Sequence, residues 1–381
     1  MTTAENFIYL SGCAINGNTA VLQSVDFEAL WALAKKHLMT ALIAKALMST
    51  EAFRSADAQE QNRWVTAYNN SVKKTMLFDA ERKRILKFLD DSGIWYVPLK
   101  GAIINRLYRH YGTREFSDND ILFDDTYTQT TREYMASLGY KRKTEDLTAD
   151  EYVRPPVYNF ELHPMLFSET TEHKKLYEHY SHIFERLIKD DGNRCGYHMT
   201  NEDFYIYFVA HAYKHYEYMG TGFRTVVDAY AILNAEQFHL NFDKIEDETK
   251  QLGISEFEHT LRALATHLLS DPEALETSLK NLNDSESEML RFIVSNAVFG
   301  TLETLITKKY QAEENNSKGK YYFRRVFPSV SKYQYTHPFV YKHKIVYPFF
   351  LAYRLAAYPF KHRKYLKKEY EAIQKINSKN D

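Results

Sequence analysis

The sequence predicts an α+β protein, a small mixed β-sheet core with helical regions before and after it in the chain. Three observations carry that expectation. Residues 26–91 repeat apolar side chains at helical spacing. Between residues 94 and 170, short β-branched and aromatic runs alternate with brief helical patterns and turn residues. After His163 the pattern is helical almost throughout. The expected divisions are 1–93, an N-terminal helical region, and 94–170, the α/β core. Residues 171–307 form a helical region packing on that core, and 308–381 a linker followed by a basic, aromatic tail.

Each element has its own signal. Asp26 is placed to cap FEALWALAKKHLMTALIAKALM, where Leu30, Leu33, Ala34, Leu38, Ala41 and Leu42 fall at helical intervals. A long helical pattern from about Ala58 ends at Asp91-Ser92-Gly93. Residues 1–20 carry only weak signals. Ile94–Leu99 reads as the first strand, with Pro98 setting it at a sheet edge or at its own end. Ala102–His110 reads as a short helix and Asp118–Phe123 as the second strand. Tyr127–Leu138 is helical and stops at Gly139, Tyr140–Arg142 begins a return strand, and Pro155-Pro156 precede a strand over Val157–His163. Thr200 to Asp203 fits a capping box opening FYIYFVAHAYKHY. Further helices are expected over Phe223–Asn234, Glu256–Ser270 and Glu286–Phe299, with a polar linker (AEENNSKGK) beyond Lys308.

Composition narrows the function classes. The chain has 381 residues, 44% hydrophobic and 26% charged, an ordinary globular balance. Its length suits roughly two to three domains, or one catalytic domain with helical additions. A net charge of −1 provides no global basic field, so there is no strong nucleic-acid signal. Cys13 and Cys195 are too few and too far apart for a disulfide framework or a cysteine zinc site. Met1–Phe7 lacks the basic start of a signal peptide. Pro348, Arg354 and Pro359 interrupt Ile345–Phe360, which falls short of the ~20 apolar residues of a spanning helix. The expectation is a cytoplasmic protein with no transmembrane segment. Neither GxxxxGK[ST] nor GxGxxG occurs, so Walker-type and dinucleotide folds are disfavoured.

The chemistry concentrates in Pro98–Asp124, PLKGAIINRLYRHYGTREFSDNDILFD. Asp118 and Asp120, at i and i+2 on a strand, project from one face. Two like charges that close cost free energy unless a cation lies between them, which points to a divalent metal. A D-x-D pair alone is common in solvated turns. A third acid, Glu161 in YNFELHP, shares a strand face with Asn159 and His163, opposite Phe160 and Leu162. If that strand pairs beside Asp118–Phe123, three carboxylates converge, the ligand set of two Mg²⁺ ions in phosphoryl or nucleotidyl transfer. Otherwise Glu161 is a solvent-facing strand residue.

The motifs Leu99-Lys100-Gly101, then Arg114, Asp118 and Asp120 in R-x-x-x-D-x-D, then Glu161-Leu162-His163, resemble the uncharacterised nucleotidyltransferase family of the DNA polymerase β-like superfamily. The resemblance covers about residues 25–235, with its sharp motifs at 99–163. It implies a nucleotidyltransferase core that takes an NTP and Mg²⁺ (or Mn²⁺), with a small molecule or protein as acceptor. Asp118 and Asp120 would be the metal pair, Glu161 the third carboxylate, and Lys100 and Gly101 part of the nucleotide-binding turn. The superfamily usually has Gly-Ser at that turn, where this chain has Gly101-Ala102. It commonly has an apolar residue between the aspartates, where this chain has Asn119. A buried Asn119 without partners would cost about 1–3 kcal/mol, so it is expected to be hydrogen-bonded or near solvent. Arg114, beside the cluster, is a candidate phosphate clamp with Lys100.

Three features have competing explanations. His211 and His215, at i and i+4, have a zinc-compatible spacing, but Ala212 stands where a metalloprotease needs Glu. A structural or cleft-lining role competes with zinc. Arg224 and Asp228 can pair along their helix. By the resemblance this helical part faces the active site, with Lys214 or Arg224 available to a triphosphate. Tyr341–Asp381 carries ten Lys or Arg against three acids, either a peripheral contact with an anionic surface or a solvated helix face. Two rival functions remain. One is a non-catalytic nucleotide- or partner-binding descendant. The other is a D-x-D glycosyltransferase, which would expect a larger doubly wound domain ahead of the motif.

Overall fold

A computed structural model describes residues 1–145, 148–169, 174–218, 220–296, 327–328, 330 and 338–361. By its contacts the chain divides into one unit of residues 1–214 and 221–298 and another of 215–220 and 299–381. The expected linker beyond Lys308 and the basic tail beyond residue 361 lie outside the described residues. Within the second unit, helices cover Pro338–Lys342 and Tyr347–Lys361.

The first unit is α+β. Helices α1 (Thr3–Asn16), α2 (Phe27–Lys36), α3 (Thr40–Leu47), α4 (Glu51–Arg54) and α5 (Ala58–Asp91) precede the sheet. Asp26 caps α2 by accepting from the Ala29 amide at 2.9 Å, and Asp57 caps α5 by accepting from Glu60. Gly93, at φ 74°, ends the α5 segment as the Asp-Ser-Gly signal indicates. The helical run from Asp26 is broken, because Leu38 at φ 55° separates α2 from α3. There His37 is fully buried and its Nδ1 accepts from the Phe223 amide at 3.0 Å.

The strands are β1 (Tyr96–Pro98), β2 (Asp120–Phe123), β3 (Lys141–Glu145), β4 (Asp150–Arg154) and β5 (Tyr158–His163). Their order is β1-β2-β5-β4-β3, with β2 and β5 parallel and the other pairs antiparallel. Pro98 ends an edge strand of this sheet, where a missing N–H costs no ladder bond. One face packs on α5 and on α7 (Thr128–Ser137). Phe78, Ile85 and Leu89 of α5 and Met135 of α7 meet Ile121, Phe123, Phe160 and Leu162 there. The alternating residues Asp120, Glu161 and His163 therefore lie on the opposite face.

Several elements differ from the sequence expectations. The helix expected over Ala102–His110 is shorter: α6 covers Gly101–Ile104 and a 3₁₀ turn follows over Asn105–Leu107. Asp118 precedes the β2 ladder rather than lying within it. Strand β4 carried no sequence expectation, and Pro155-Pro156 occupy the hairpin that joins it to β5. Helix α1 was equally faint, although Thr2 and Glu5 form a complete capping box. Phe7, Leu10 and Cys13 on it are fully buried, so the helix is apolar on most sides and shows little periodic contrast.

After α8 (Lys174–Tyr180), the first unit continues with α9 (Asn201–Tyr218), which runs on into the second unit. Then follow α10 (Arg224–Leu233), α11 (Phe242–Leu252) and α12 (Ser255–Leu269). Next come α13 (Leu275–Lys280) and α14 (Asp284–Asn296). The Asp203 amide donates to Thr200 Oγ1 at 3.1 Å, as the capping signal at the start of α9 requires. No described helix is long and apolar enough to cross a membrane.

Candidate active site

The parallel pairing of β2 and β5 sets Asp120 directly beside Glu161. In a pleated sheet such neighbours project to the same side. His163 follows Glu161 by two residues on that side, and its Nε2 lies 3.2 Å from Asp120 Oδ1 and 3.7 Å from Glu161 Oε2. Ligand atoms of Asp120, Glu161 and His163 all fall within 4.8 Å of one another.

Lys100 closes the cluster from the edge. It holds an unusual backbone conformation at φ 22°, and its Nζ reaches Asp120 Oδ2 at 3.2 Å. The same ammonium donates to His211 Nε2 at 2.8 Å, which gives His211 of the α9 pair a role as a partner of Lys100. The Tyr207 ring lies 5.8 Å from that nitrogen. Lys100 thus bridges the sheet and α9.

The electrostatics follow from burial and crowding. Burial pushes Glu161 up, and the charges of Asp120 and Asp118 add to it, raising its carboxyl to about 8. Burial and Asp120 also raise Asp118, against the pull of Lys100 and Arg224. Burial acts upward on Asp120 too, but Lys100 and His163 outweigh it and hold that carboxyl below the usual range. Three acids are therefore gathered where they do not all ionise easily. Their oxygen donors suit a hard divalent cation such as Mg²⁺ or Mn²⁺.

Asn119 is 1% exposed, and its Oδ1 accepts from Arg82 Nη1 at 2.5 Å while its Nδ2 is buried without a partner. The hydrogen bond expected of a buried asparagine is present on its acceptor side alone. Arg82 comes from α5, so this long helix fixes the loop that carries the aspartates. Lys74, also on α5, donates to the Phe116 carbonyl at 2.7 Å and feels the charge of Asp118.

The remaining predicted residues sit around this cluster. Arg114 is 7% exposed, and its Nε and Nη2 grip the two Asp228 oxygens at 2.8 and 2.9 Å. Tyr108 donates to the same Asp228 at 2.7 Å. Asp228 is thus engaged from outside its own helix, and Arg224 instead donates to the Glu115 carbonyl at 2.7 Å. Gly101 is buried against Arg114, whose Nη1 would stand 3.1 Å from a Cβ at that position. Lys214 lies one turn beyond His211 on α9. His163, Lys74, Arg82 and Tyr207 carried no sequence assignment. For His163 alone a signal existed, its shared strand face with Glu161.

A mixed sheet carrying an acid cluster across its central parallel pair, with a lysine-glycine turn beside it, defines an α+β protein built to gather negative charge at one point. The family model of the uncharacterised nucleotidyltransferases matches residues 23–270, and the chain belongs to that family. No curated protein and no solved structure matches it significantly.

Proposed function

We propose that this protein transfers a nucleoside monophosphate from an NTP to a hydroxyl of a small-molecule or protein acceptor, releasing pyrophosphate, in a reaction dependent on Mg²⁺ or Mn²⁺. The observation that carries the reading is the parallel register of Asp120 against Glu161, with Lys100 salt-bridged to Asp120. Asp118, Asp120 and Glu161 would hold the divalent cation. When bound, the cation neutralises charge on the phosphates and polarises them. Lys100, in the turn with Gly101, adds a fixed positive charge at the phosphate-facing edge. Arg114 acts from behind the turn, where its guanidinium, held by Asp228, feels Asp118. By the family resemblance, Arg224, whose charge reaches Asp118, or Lys214 would be available to the rest of a triphosphate.

The test follows NTP consumption and pyrophosphate release with each cation in the wild type and in Asp120→Asn. Activity in the variant is expected to fall at least roughly a hundredfold. Unchanged metal-dependent turnover in Asp120→Asn would sink the assignment. NTP binding without turnover would instead make the chain a non-catalytic descendant, and binding of sugar nucleotides alone a glycosyltransferase.

A further inference from the structure

We propose that His163 is a direct ligand of the site's cation, and that its imidazole tilts the site toward a transition-metal dication, Mn²⁺ over Mg²⁺. The inference rests on the reading above that Asp120 and Glu161 hold a divalent ion. It adds a nitrogen donor to what would otherwise be an all-oxygen set.

Three observations support it. The first is distance: His163 Nε2 stands 3.2 Å from Asp120 Oδ1 and 3.7 Å from Glu161 Oε2. Ligand atoms about 2.1 Å from one ion stand roughly 3 Å apart at the edges of its coordination shell. The two histidine edges therefore need only slight tightening to belong to one coordination shell, and all three ligand atoms lie within 4.8 Å of one another. The second is placement. His163 is 8% exposed on β5, a strand paired on both sides, so its ring is held by the sheet. The third is direction: among the described residues the ring's polar contacts run from Nε2 to the two acids. Metal binding there puts its proton on Nδ1, which is buried without an acceptor, a cost that the metal bond must exceed.

The chemical consequence follows from donor type. Carboxylate oxygens suit Mg²⁺, Ca²⁺ and Mn²⁺ alike, whereas imidazole favours metals later in the first-row series, and Mg²⁺ gains least from a nitrogen ligand. Lys100 occupies the other Asp120 oxygen, Oδ2, at 3.2 Å, so Oδ1 is the oxygen left for a cation shared with His163.

The experiment titrates Mn²⁺ and Mg²⁺ into the full chain and into His163→Gln, and records pulsed electron paramagnetic resonance of the bound Mn²⁺. In the wild type, coupling to an imidazole nitrogen is expected, and it changes when the histidine rings are isotopically labelled. His163→Gln should lose that coupling, while His211→Gln keeps it. The Mn²⁺-over-Mg²⁺ affinity ratio should fall in His163→Gln by at least the roughly tenfold that even an outer-shell partner is worth. Bound Mn²⁺ without nitrogen coupling in the wild type would overturn the proposal, and that spectrum is decisive even if the variant fails to fold. The two readings separate cleanly. Mg²⁺-supported NTP turnover without nitrogen coupling removes this inference and leaves the nucleotidyl transfer. Nitrogen coupling without NTP turnover under either metal does the reverse.

Discussion

Arg114 and Asp228, 114 positions apart, meet in a two-point ion pair that water hardly reaches, Nε to Oδ1 at 2.8 Å and Nη2 to Oδ2 at 2.9 Å. Through it the loop leading to the aspartates is anchored to α10. Removing one partner of a buried pair leaves the other charge without compensation. Asp228→Asn and Arg114→Met are each expected to destabilise the protein by about 3–5 kcal/mol. Arg114→Lys should recover only part of that, since an ammonium cannot make the two-point contact. Denaturant unfolding of the three variants checks this, and a loss below about 1 kcal/mol in all three would contradict it.

Glu161 makes the stability of the metal-free protein depend on pH. Its carboxyl is raised from 4.5 to about 8 in the folded state, by burial first and then by Asp120 and Asp118. Between those values the folded protein keeps a proton that the unfolded chain has released. Stability therefore falls as pH rises through this window. Thermal unfolding in the presence of a chelator should show that decline in the wild type and a flatter profile in Glu161→Gln. Added Mg²⁺ or Mn²⁺ should release protons on binding at neutral pH, measurable as a dependence of binding heat on buffer ionisation.

His37 acts in the opposite sense. Burial and the nearby Lys36 charge lower its pKa from 6.5 to about 4. The folded state resists a proton that the unfolded chain accepts below pH 6.5. Stability is complete above that value and declines as pH drops toward 4, by an amount on the order of 3 kcal/mol. His37→Asn, which can still accept from the Phe223 amide, should flatten the acid limb of the unfolding midpoint. An unchanged acid limb would rule His37 out as its cause.

Gly112 is required by both conformation and space. It sits at φ 78°, and a Cβ there would lie 2.6 Å from the Val72 backbone on α5. Gly192 has a similar φ of 80° with nothing within 4 Å. Both alanine variants incur backbone strain, about 1–2 kcal/mol. Gly112→Ala should lose a further 1–3 kcal/mol or so from overpacking. Equal unfolding midpoints for the two variants would show that α5 yields at Val72.

Much of this arrangement was legible in the chain itself. The end of α5 followed from the Asp-Ser-Gly stop and its start near Ala58 from the helical pattern, and the Asp26 cap, the Gly139 stop and the edge strand at Pro98 each had a local physical cause. Signals of that kind reside in neighbouring residues, so they survive reading one segment at a time. Helix α1 and strand β4 were missed where local contrast was weak. A helix buried on most sides has no polar face to mark its period.

The sequence by itself determined the candidate chemistry: three acids, a lysine-glycine turn and a shared strand face for Glu161 and His163. Only the tertiary structure decided which of them meet. The parallel β2–β5 register brings Asp120 to Glu161 and His163, and α9 delivers His211 to Lys100. Arg114 was turned toward Asp228, a partner supplied by a distant helix. The physical reason is that side-chain direction follows from local backbone geometry, whereas register and helix docking are set by burial of surfaces far apart in the chain.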